Sequence, residues 1–327
     1  MTARWDADNI GDLTGRRAIV TGASSGLGRE TVLELARHGA GVVLAVRHLG
    51  KGEQALADLA SELAARPLPG LVPGPLELRR LDLADLASVR TFADQWDGPL
   101  DLLVNNAGVM AIPYRMSADG FELQFATNHL GPFALTGLLL PALRRTGSAA
   151  APTRVVTVSS QAHRSGHIDL ADLNASQGYR KWGAYSQAKL ANLLFTFELE
   201  RRLEGAGAPV RSYAAHPGLA ATNLQQVGPG MSGNRLAGRA WGLGMAVFGQ
   251  SAQMGALPTL YAATVPDLPG GSYVGPDGIG EQRGHPRLVG TSIRARDESV
   301  ARALWSASEE LTGVHFDLAA PAGSPLP

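Results

Sequence analysis

Residues 21–28 read TGASSGLG, and this stretch decides the fold. A short β-like run, residues 17–21, leads into it, and a helix-like stretch, residues 27–38, follows directly. A glycine-rich turn between a strand and a helix is where dinucleotide-binding folds hold a pyrophosphate, against the N–H groups of the helix N-terminus. We expect Gly22 to permit the tight turn, Gly26 to let the pyrophosphate approach the backbone, and Gly28 to let the helix pack closely.

Five more strand-like runs follow along the chain, at residues 41–46, 76–81, 100–104, 155–158 and 210–214. Helix-like stretches lie between them, among them residues 51–65, 121–143 and 185–203. Strands that alternate with helices are typical of a parallel sheet that is covered on both faces. We therefore predict an α/β fold with a single Rossmann-type doubly wound parallel sheet and helices on both faces. One nucleotide-binding domain is expected to span residues 1–327.

The composition narrows the function classes. The 327 residues carry a formal net charge of zero and no basic run, so neither nucleic acid nor an anionic membrane surface is an expected partner. The chain has no cysteine, which excludes disulfides, thiolate catalysis and cysteine-ligated metal. His163 and His167 have no third ligand at a recognisable spacing, so we expect no metal site. The first 13 residues lack an apolar signal segment, and we expect a cytoplasmic location.

The stretch at residues 228–265 is apolar and rich in glycine. It predicts a substrate lid, and a packed pair of structural helices is the alternative. The side chains expected to shape the pocket there are Trp241, Met245 and Phe248. Residues 240–266 carry no charge, but their glycines, glutamines and Pro258 indicate a segment that covers protein and does not span a membrane. The tail at residues 319–327 is predicted to be disordered.

Polar or glycine-containing motifs stand directly after the predicted strands: Asp82-Leu83, Asn105-Asn106-Ala107-Gly108, Ser159-Ser160 and His216-Pro217-Gly218. The carboxyl ends of parallel strands meet at one edge of the sheet, where open α/β folds bind ligands. Arg47 follows the second strand, at the position where a site selective for NAD offers an acid to the ribose hydroxyls. A permanently charged guanidinium there favours a 2′-phosphate, so we predict a preference for NADP(H), with NAD(H) as the alternative cofactor.

Tyr185 and Lys189 lie four residues apart in the helix-like run AYSQAKLAN, residues 184–192. One helical turn takes about 3.6 residues, so both side chains lie on one face of the helix. A cation beside a phenol lowers the pKa of that phenol. The pair is therefore expected to donate and accept protons near neutral pH.

Taken together and in this order, these motifs resemble the short-chain dehydrogenase/reductase family from about residue 16 to residue 311. The segments VSSQAH (158–163), AYSQAKLANLLF (184–195) and HPG (216–218) resemble the retinol-dehydrogenase-like branch. The resemblance implies an enzyme that transfers a hydride between a nicotinamide cofactor and a CH–OH/C=O pair. We therefore predict an NADP(H)-dependent oxidoreductase that interconverts a hydrophobic alcohol and its carbonyl compound.

The resemblance also implies residue roles. Tyr185 is the general acid/base, Lys189 lowers its pKa and holds the nicotinamide ribose, and Ser160 hydrogen-bonds the substrate carbonyl. Asn128, in TNHLGPF (127–133), binds the water that relays protons to Lys189, and the proline after it predicts a helix kink there. The residues expected to bind the cofactor are Gly22, Ser24, Ser25, Gly26, Leu27, Gly28, Arg47, Asp82, Leu83, Asn105, Ala107, Gly108, Tyr185, Lys189, Pro217, Gly218 and Thr222.

Two other functions stay open. One is reduction of an activated carbon–carbon double bond, as in the related protochlorophyllide reductases, but these use a cysteine as proton donor and this chain has none. The other is a nucleotide-sensing protein without catalysis, because a fold does not fix a function. Such proteins commonly lose the tyrosine or the lysine, and both are present here. Family members often pair through the helices that bear Asn128 and Tyr185, so a homodimer or homotetramer is the expected assembly.

Overall fold

The computed structural model describes residues 4–220 and 250–318. They contain one sheet of eight strands in the order β3-β2-β1-β4-β5-β6-β7-β8. The strands are β1 (Arg17–Thr21), β2 (Gly41–Val46), β3 (Leu76–Arg80), β4 (Leu102–Asn105), β5 (Thr153–Val158), β6 (Val210–Ala215), β7 (Tyr273–Pro276) and β8 (Pro286–Leu288). The first seven strands run parallel, and β8 pairs antiparallel with β7 at the edge.

The described helices are α1 (Gly26–Arg37), α2 (Leu49–Ala65), α3 (Leu86–Asp94), α4 (Leu123–Phe125), α5 (Gly131–Thr146), α6 (Lys181–Gly205), α7 (Ala252–Thr264) and α8 (Glu298–Thr312). Apolar side chains of α1, α2 and α7 form one buried cluster with one face of the sheet. Those of α3, α5 and α6 form a second cluster with the other face. The predicted doubly wound parallel sheet with helices on both faces is confirmed.

The strand order reverses between β1 and β4, which lie side by side in the middle of the sheet. Ala18 pairs with Leu102, and Val20 pairs with Val104. The chain leads outward from β1 through β2 and β3 in one direction, and from β4 through β5 and β6 in the other. Connections that diverge in this way leave a crevice above the carboxyl ends of the two central strands, and an open parallel sheet binds its ligand there.

Most elements begin and end within a few residues of their predicted bounds, and three elements differ. The sequence does not predict α3, a helix of nine residues that begins where the Asp85 carboxylate accepts hydrogen bonds from the N–H groups of Ala87 and Ser88. It also does not predict β8, because three residues are too few for a periodic signal. Residues 252–264, within the predicted lid, form α7, whose buried side chains pack on the sheet. Residues 228–249 of that stretch lie outside the described residues.

The outermost layer consists of α8 and the residues after it, which lie against α5 and α6. Trp305 stacks on Phe195 of α6, with ring centroids 5.8 Å apart, and meets Phe133 of α5 edge-on at 5.1 Å. Phe316 lies 4.5 Å from Trp305. A Cβ atom on Gly137 of α5 would come within 2.7 Å of Phe316, so the absence of a side chain there allows this close approach. The layer covers part of the helices through which a homodimer is expected to form, and the assembly stays a prediction.

Candidate active site

A cavity of about 910 Å³ opens at the carboxyl edge of the sheet, above the reversal of the strand order. Its size is that of a site for a drug-sized ligand. The predicted site residues that line it are Gly22, Ser24, Ser25, Gly26, Leu27, Gly28, Arg47, Asp82, Leu83, Ala107, Gly108, Ser160, Tyr185, Lys189, Pro217 and Gly218. Asn105 and Asn128 lie outside its lining, and Thr222 lies outside the described residues.

The glycine turn has the geometry that the sequence predicts. Gly22 and Gly26 have φ angles of +68° and +56°, which residues other than glycine rarely adopt. A Cβ atom on Gly22 would lie 2.9 Å from Ala107, at the end of β4. A Cβ atom on Gly28 would lie 2.5 Å from the carbonyl oxygen of Gly22. A side chain at either position would therefore collide with neighbouring backbone or side-chain atoms. The N-terminus of α1 faces the cavity, where its N–H groups could bind an anion.

One end of the cavity is cationic. Arg47 is exposed there, and its Nε donates a hydrogen bond to His48 Nε2 at 3.1 Å. Arg29 also lines this end, but its guanidinium is paired with Glu30 and Glu62 at 3.0 and 2.8 Å. Lys51, in the first turn and a half of α2, adds an exposed ammonium that the sequence reasoning missed. Its place in the first turn of the helix that follows Arg47 is the signal that points to it.

The end of β4 differs from the expectation for Asn105. Its side chain is buried, and its Nδ2 donates to Thr136 Oγ1 at 3.0 Å, because the last residue of β4 points into the layer beneath the sheet. The neighbouring Asn106 lines the cavity instead, with its Nδ2 donating to the carbonyl oxygen of Thr21 at 2.8 Å. Asn106 therefore joins the ends of β1 and β4 at the cavity floor.

The buried end of the cavity holds Ser160, Tyr185 and Lys189. Tyr185 and Lys189 lie on the face of α6 that points to the cavity, and both are buried. The Lys189 ammonium donates a hydrogen bond to the carbonyl oxygen of Val158, the last residue of β5, at 2.9 Å. Ser160 follows two residues later and caps a short 3₁₀ turn, with its hydroxyl accepting from Ala162 N–H at 3.2 Å. β5 thus places the serine beside the tyrosine and the lysine.

Burial governs the electrostatics of this pair. It raises the pKa of the Tyr185 phenol to about 12, and a hydrogen bond with Ser160 acts in the opposite direction. Burial lowers the pKa of the Lys189 ammonium to about 8. That the Lys189 ammonium lowers the phenol pKa stays a prediction, and burial, which raises this pKa, is the largest effect in the structure. At neutral pH Tyr185 is therefore protonated and able to donate its proton.

Asn128 lies in a π-helical turn, residues 126–130, between α4 and α5. The predicted irregularity in this helix is present, although it takes the form of a wide turn instead of a proline kink. Asn128 Oδ1 accepts from Val109 N–H at 2.8 Å, and its Nδ2 donates to the carbonyl oxygen of Val109 at 2.9 Å. The asparagine thereby fixes the loop after β4 at Val109, which lines the cavity. Thr127, which the sequence did not single out, lines the cavity with a buried hydroxyl that has no partner among the described residues.

The loop after β6 closes the buried end of the cavity. Gly218 has a φ angle of +63°, and its N–H donates to His216 Nδ1 at 3.3 Å. Gln250 Nε2 donates to the carbonyl oxygen of Pro217 at 2.7 Å, which fixes the loop from the side of α7. Two further residues missed by the sequence reasoning, Trp182 and Glu281, line the cavity near this loop.

Two other expectations concern a metal site and a membrane span. Within residues 4–220 and 250–318, three or more potential metal-ligating side chains never come together. In the same ranges, each helix is too short or too polar to cross a membrane. Trp241, Met245 and Phe248, expected to shape the substrate pocket, lie outside these ranges.

A glycine turn at the head of α1 that shares one cavity with a half-buried serine and a buried tyrosine and lysine defines a nucleotide-dependent oxidoreductase. Comparison with known proteins narrows the class. The sequence profile described as "short chain dehydrogenase" matches residues 16–229. Retinol dehydrogenase 14 of Mus musculus is 42% identical over 309 residues, which cover 93% of this chain and 88% of that protein.

Solved structures agree with this comparison. The crystal structure of an uncharacterized protein from Mycobacterium paratuberculosis has a TM-score of 0.77 and 47% identity, with 96% of this chain and 99% of that chain covered. An NADP complex of RhlG from Pseudomonas aeruginosa has a TM-score of 0.59 and 25% identity, with 80% and 94% covered. The chain belongs to the short-chain dehydrogenase/reductase family, in its retinol-dehydrogenase-like branch. It is an oxidoreductase that acts on the CH–OH/C=O pair.

Proposed function

We propose that the protein is an NADP(H)-dependent oxidoreductase that interconverts a hydrophobic alcohol and its carbonyl compound, with Tyr185 as the general acid/base. One observation carries this proposal: Ser160, Tyr185 and Lys189 line the same cavity as the glycine turn. A nucleotide held by the turn would therefore extend to the buried end, where the proton-transferring groups lie. The family membership supports the reaction class.

The proposed cofactor follows from the residues of the cationic end. The pyrophosphate would lie at the N-terminus of α1, against Ser24, Ser25 and Gly26. Arg47 and Lys51 would hold a 2′-phosphate, because both are exposed at this end of the cavity and no acid directly follows β2, although Asp58 of α2 also lines the cavity. Asp82 and Leu83 would contact the adenine. RhlG, solved with NADP, offers a precedent on the same fold.

The proposed chemistry divides between cofactor and protein. When bound, the nicotinamide supplies or takes up the hydride. In the reducing direction, Tyr185 donates its proton to the carbonyl oxygen and Ser160 donates a hydrogen bond to the same oxygen, so both stabilise the negative charge that develops on it. Lys189 holds the nicotinamide ribose through its ammonium. Asn128 keeps the adjoining backbone fixed through Val109, and the π-helical turn around it is where a relay water would bind.

The substrate is proposed to be hydrophobic. Trp182 lines the cavity and lies edge-on to the Tyr185 ring at 6.0 Å. Met110 and Leu219 add apolar surface near the same end. Retinol dehydrogenase 14, which matches most of this chain, is named after retinol, a long apolar alcohol. Of the stretch predicted to be a substrate lid, residues 252–264 pack on the sheet as α7, and residues 228–249 lie outside the described residues.

We also propose that residues 1–327 form one domain and that the protein is cytoplasmic. These proposals rest on the continuous sheet and on the absence of cysteine. Residues 319–327, predicted to be a disordered tail, lie outside the described residues. A homodimer or homotetramer is the proposed assembly.

A substrate panel tests the proposed function. Purified protein is assayed with linear ketones, aldehydes and secondary alcohols of increasing length, each with NADPH and with NADH. We expect turnover with NADPH in preference to NADH, and kcat/KM that rises several-fold per added carbon, since each buried methylene contributes about 0.8 kcal/mol. No turnover of any carbonyl or alcohol would contradict the proposal, and turnover restricted to conjugated double bonds would favour the alternative reductase.

A further inference from the structure

Glu281 has an unusual backbone and an unusual orientation. It lies at the end of a 3₁₀ turn, Ile279–Glu281, in the loop that joins β7 to β8. Its φ angle is +56°, a conformation that costs free energy in a residue with a side chain. Its neighbour Ile279 is 96% exposed, whereas the Glu281 side chain is 16% exposed and turns into the cavity wall. Such a conformation persists only where surrounding contacts hold it in place.

Three donors hold the Glu281 carboxylate, and they come from two other parts of the chain. Oε2 accepts hydrogen bonds from Gln161 Nε2 and, at 3.0 Å, from His216 Nε2. Oε1 accepts from Arg164 Nη2 at 3.4 Å. Arg164 Nε also donates to Gln161 Oε1 at 2.7 Å, which fixes the orientation of the glutamine amide. The carboxylate is therefore shared between the segment after β5 and the loop after β6.

Through His216, the Glu281 carboxylate affects the orientation of the loop after β6. The Gly218 N–H donates to His216 Nδ1, so the proton of the imidazole is on Nε2, the atom that faces Glu281. Burial lowers the pKa of His216 to about 3, so the ring is neutral at pH 7. Glu281 thus selects the tautomer of His216, and that tautomer accepts the hydrogen bond that orients Gly218.

The backbone beside Glu281 lies directly against the same loop. The Leu219 N–H donates to the carbonyl oxygen of Gln282 at 2.7 Å. A Cβ atom on Gly218 would come within 2.3 Å of that oxygen, so the approach needs glycine. The loop from β7 to β8 therefore rests on the loop after β6.

The two segments joined by Glu281 carry different parts of the proposed reaction. Gln161 directly follows Ser160, which is proposed to hold the substrate oxygen. His216 directly precedes Pro217 and Gly218, which are proposed to lie along the nicotinamide. The distance between these two segments sets the distance between the substrate carbonyl and the nicotinamide ring.

We propose that Glu281 is a positioning residue that fixes the Ser160 segment and the Pro217-Gly218 loop at the separation needed for hydride transfer. This inference rests on the proposed function. It assigns Glu281 no proton transfer, because Tyr185 already provides that group. A misplacement of about 1 Å between reacting groups lowers a rate up to about a hundredfold, so a residue that acts only through distance has a measurable effect.

The test compares Glu281→Ala and Glu281→Gln with the wild type. Four quantities are measured: kcat and KM for the best substrate of the panel, the dissociation constant of 2′,5′-ADP, and the fluorescence of bound NADPH. For Glu281→Ala we expect kcat to fall between about tenfold and a hundredfold. The affinity for 2′,5′-ADP should stay within about twofold, because this fragment does not reach the loop after β6. The fluorescence change on NADPH binding should shrink, since the nicotinamide is less well fixed.

Glu281→Gln keeps an acceptor oxygen for His216 and the size of the side chain, so its kcat should lie between those of the wild type and Glu281→Ala. Ile279→Ala is the matched control, since it alters the same turn at a side chain that is almost fully exposed. If Glu281→Ala does not fold, Gln161→Ala removes one of the three donors to the carboxylate and should lower kcat with unchanged binding of 2′,5′-ADP.

The outcomes separate the two proposals. A kcat within twofold of the wild type and an unchanged NADPH fluorescence in Glu281→Ala would overturn the positioning role. A wild type without any turnover would overturn the proposed function, and the fluorescence comparison would then still decide whether Glu281 orders the nicotinamide. Equal losses of kcat in Glu281→Ala and Ile279→Ala would also overturn the positioning role.

Discussion

The Lys189 ammonium lies 5.8 Å from the centre of the Tyr185 ring, and both side chains are buried. The pKa values of the two groups shift in opposite directions, because burial raises the pKa of the phenol and lowers the pKa of the ammonium. The phenol is therefore a better proton donor than base at neutral pH. The lysine is free of any described carboxylate, so its charge is available for a ligand hydroxyl.

Tyr185→Phe is expected to lower kcat by about 10²- to 10⁴-fold, because it removes the proton donor and keeps the ring that packs beside Trp182. The dissociation constant for NADPH should change by less than about twofold. Lys189→Ala is the informative comparison, since it should weaken both turnover and NADPH binding. Steady-state kinetics and fluorescence titration measure the two effects. Near-normal turnover of Tyr185→Phe is incompatible with the proposed mechanism.

The pH dependence should differ between the two directions of the reaction. The Tyr185 pKa is raised to about 12, so the protonated phenol needed for carbonyl reduction persists through neutral and moderately alkaline pH. Alcohol oxidation needs the phenolate, whose fraction grows about tenfold per pH unit below the pKa. We expect kcat/KM for reduction to be nearly flat from about pH 6 to pH 7 and to fall as pH rises through the Lys189 pKa of about 8, where the ammonium that holds the ribose loses its proton. The fraction of Tyr185 that can act as base in oxidation should rise over the same range. A reduction rate that falls through a pKa near 7 would show that the phenol titrates much lower.

Arg47→Asp is expected to reverse the cofactor preference. The wild type should favour NADPH over NADH, and the variant should lose about ten- to a hundredfold in NADPH affinity, the value of a charge-assisted hydrogen bond. The new carboxylate should at the same time accept the ribose hydroxyls of NADH. Arg145→Asp makes the same charge change at an exposed position on α5 and serves as control. Equal use of both cofactors by the wild type would mean that Arg47 is only a surface residue.

Trp305→Ala is expected to lower the free energy of unfolding by about 3 to 5 kcal/mol, because it leaves a cavity among Phe133, Phe195 and Phe316. Trp305→Phe should cost much less, since the indole N–H has no hydrogen-bond partner among the described residues and its loss leaves nothing unpaired. Ile293→Ala, at a side chain 93% exposed, should have almost no effect. Denaturant unfolding of the three variants measures these differences, and equal stability of Trp305→Ala and Ile293→Ala would contradict the prediction.

The sequence predicts those parts of the fold whose signal is local. Gly22, Gly26 and Gly28 follow a strand within a few residues, so the turn and its purpose can be read directly. Tyr185 and Lys189 lie one turn apart on one helix, so their common face is also predictable. The same local reasoning does not include the burial that raises the Tyr185 pKa, because the burial of a side chain depends on contacts with distant parts of the chain.

The site residues that the sequence did not predict depend on contacts between distant parts of the chain. Glu281 meets Gln161 and His216, which lie 120 and 65 residues away along the chain. It stands in a short turn with a positive φ angle, where neither periodicity nor a known motif marks it. Asn105 shows the same limit: the family resemblance assigns it to the cofactor, but the structure places Asn106 in the cavity lining, and only the direction of the last strand residue separates the two.

The aromatic layer under α8 affects folding during synthesis as well as the stability of the folded chain. Phe133 and Phe195 are synthesised long before Trp305 and Phe316, which cover them. A ribosome adds about 5 to 20 residues per second, so the newly made chain waits roughly 5 to 20 seconds between completing β6 and releasing its last aromatic residues. During that interval the rings of α5 and α6 face solvent on a sheet whose central strands have all been synthesised. The protein is therefore most exposed to misassembly in the last third of its synthesis, which is when chaperones would find their binding surface.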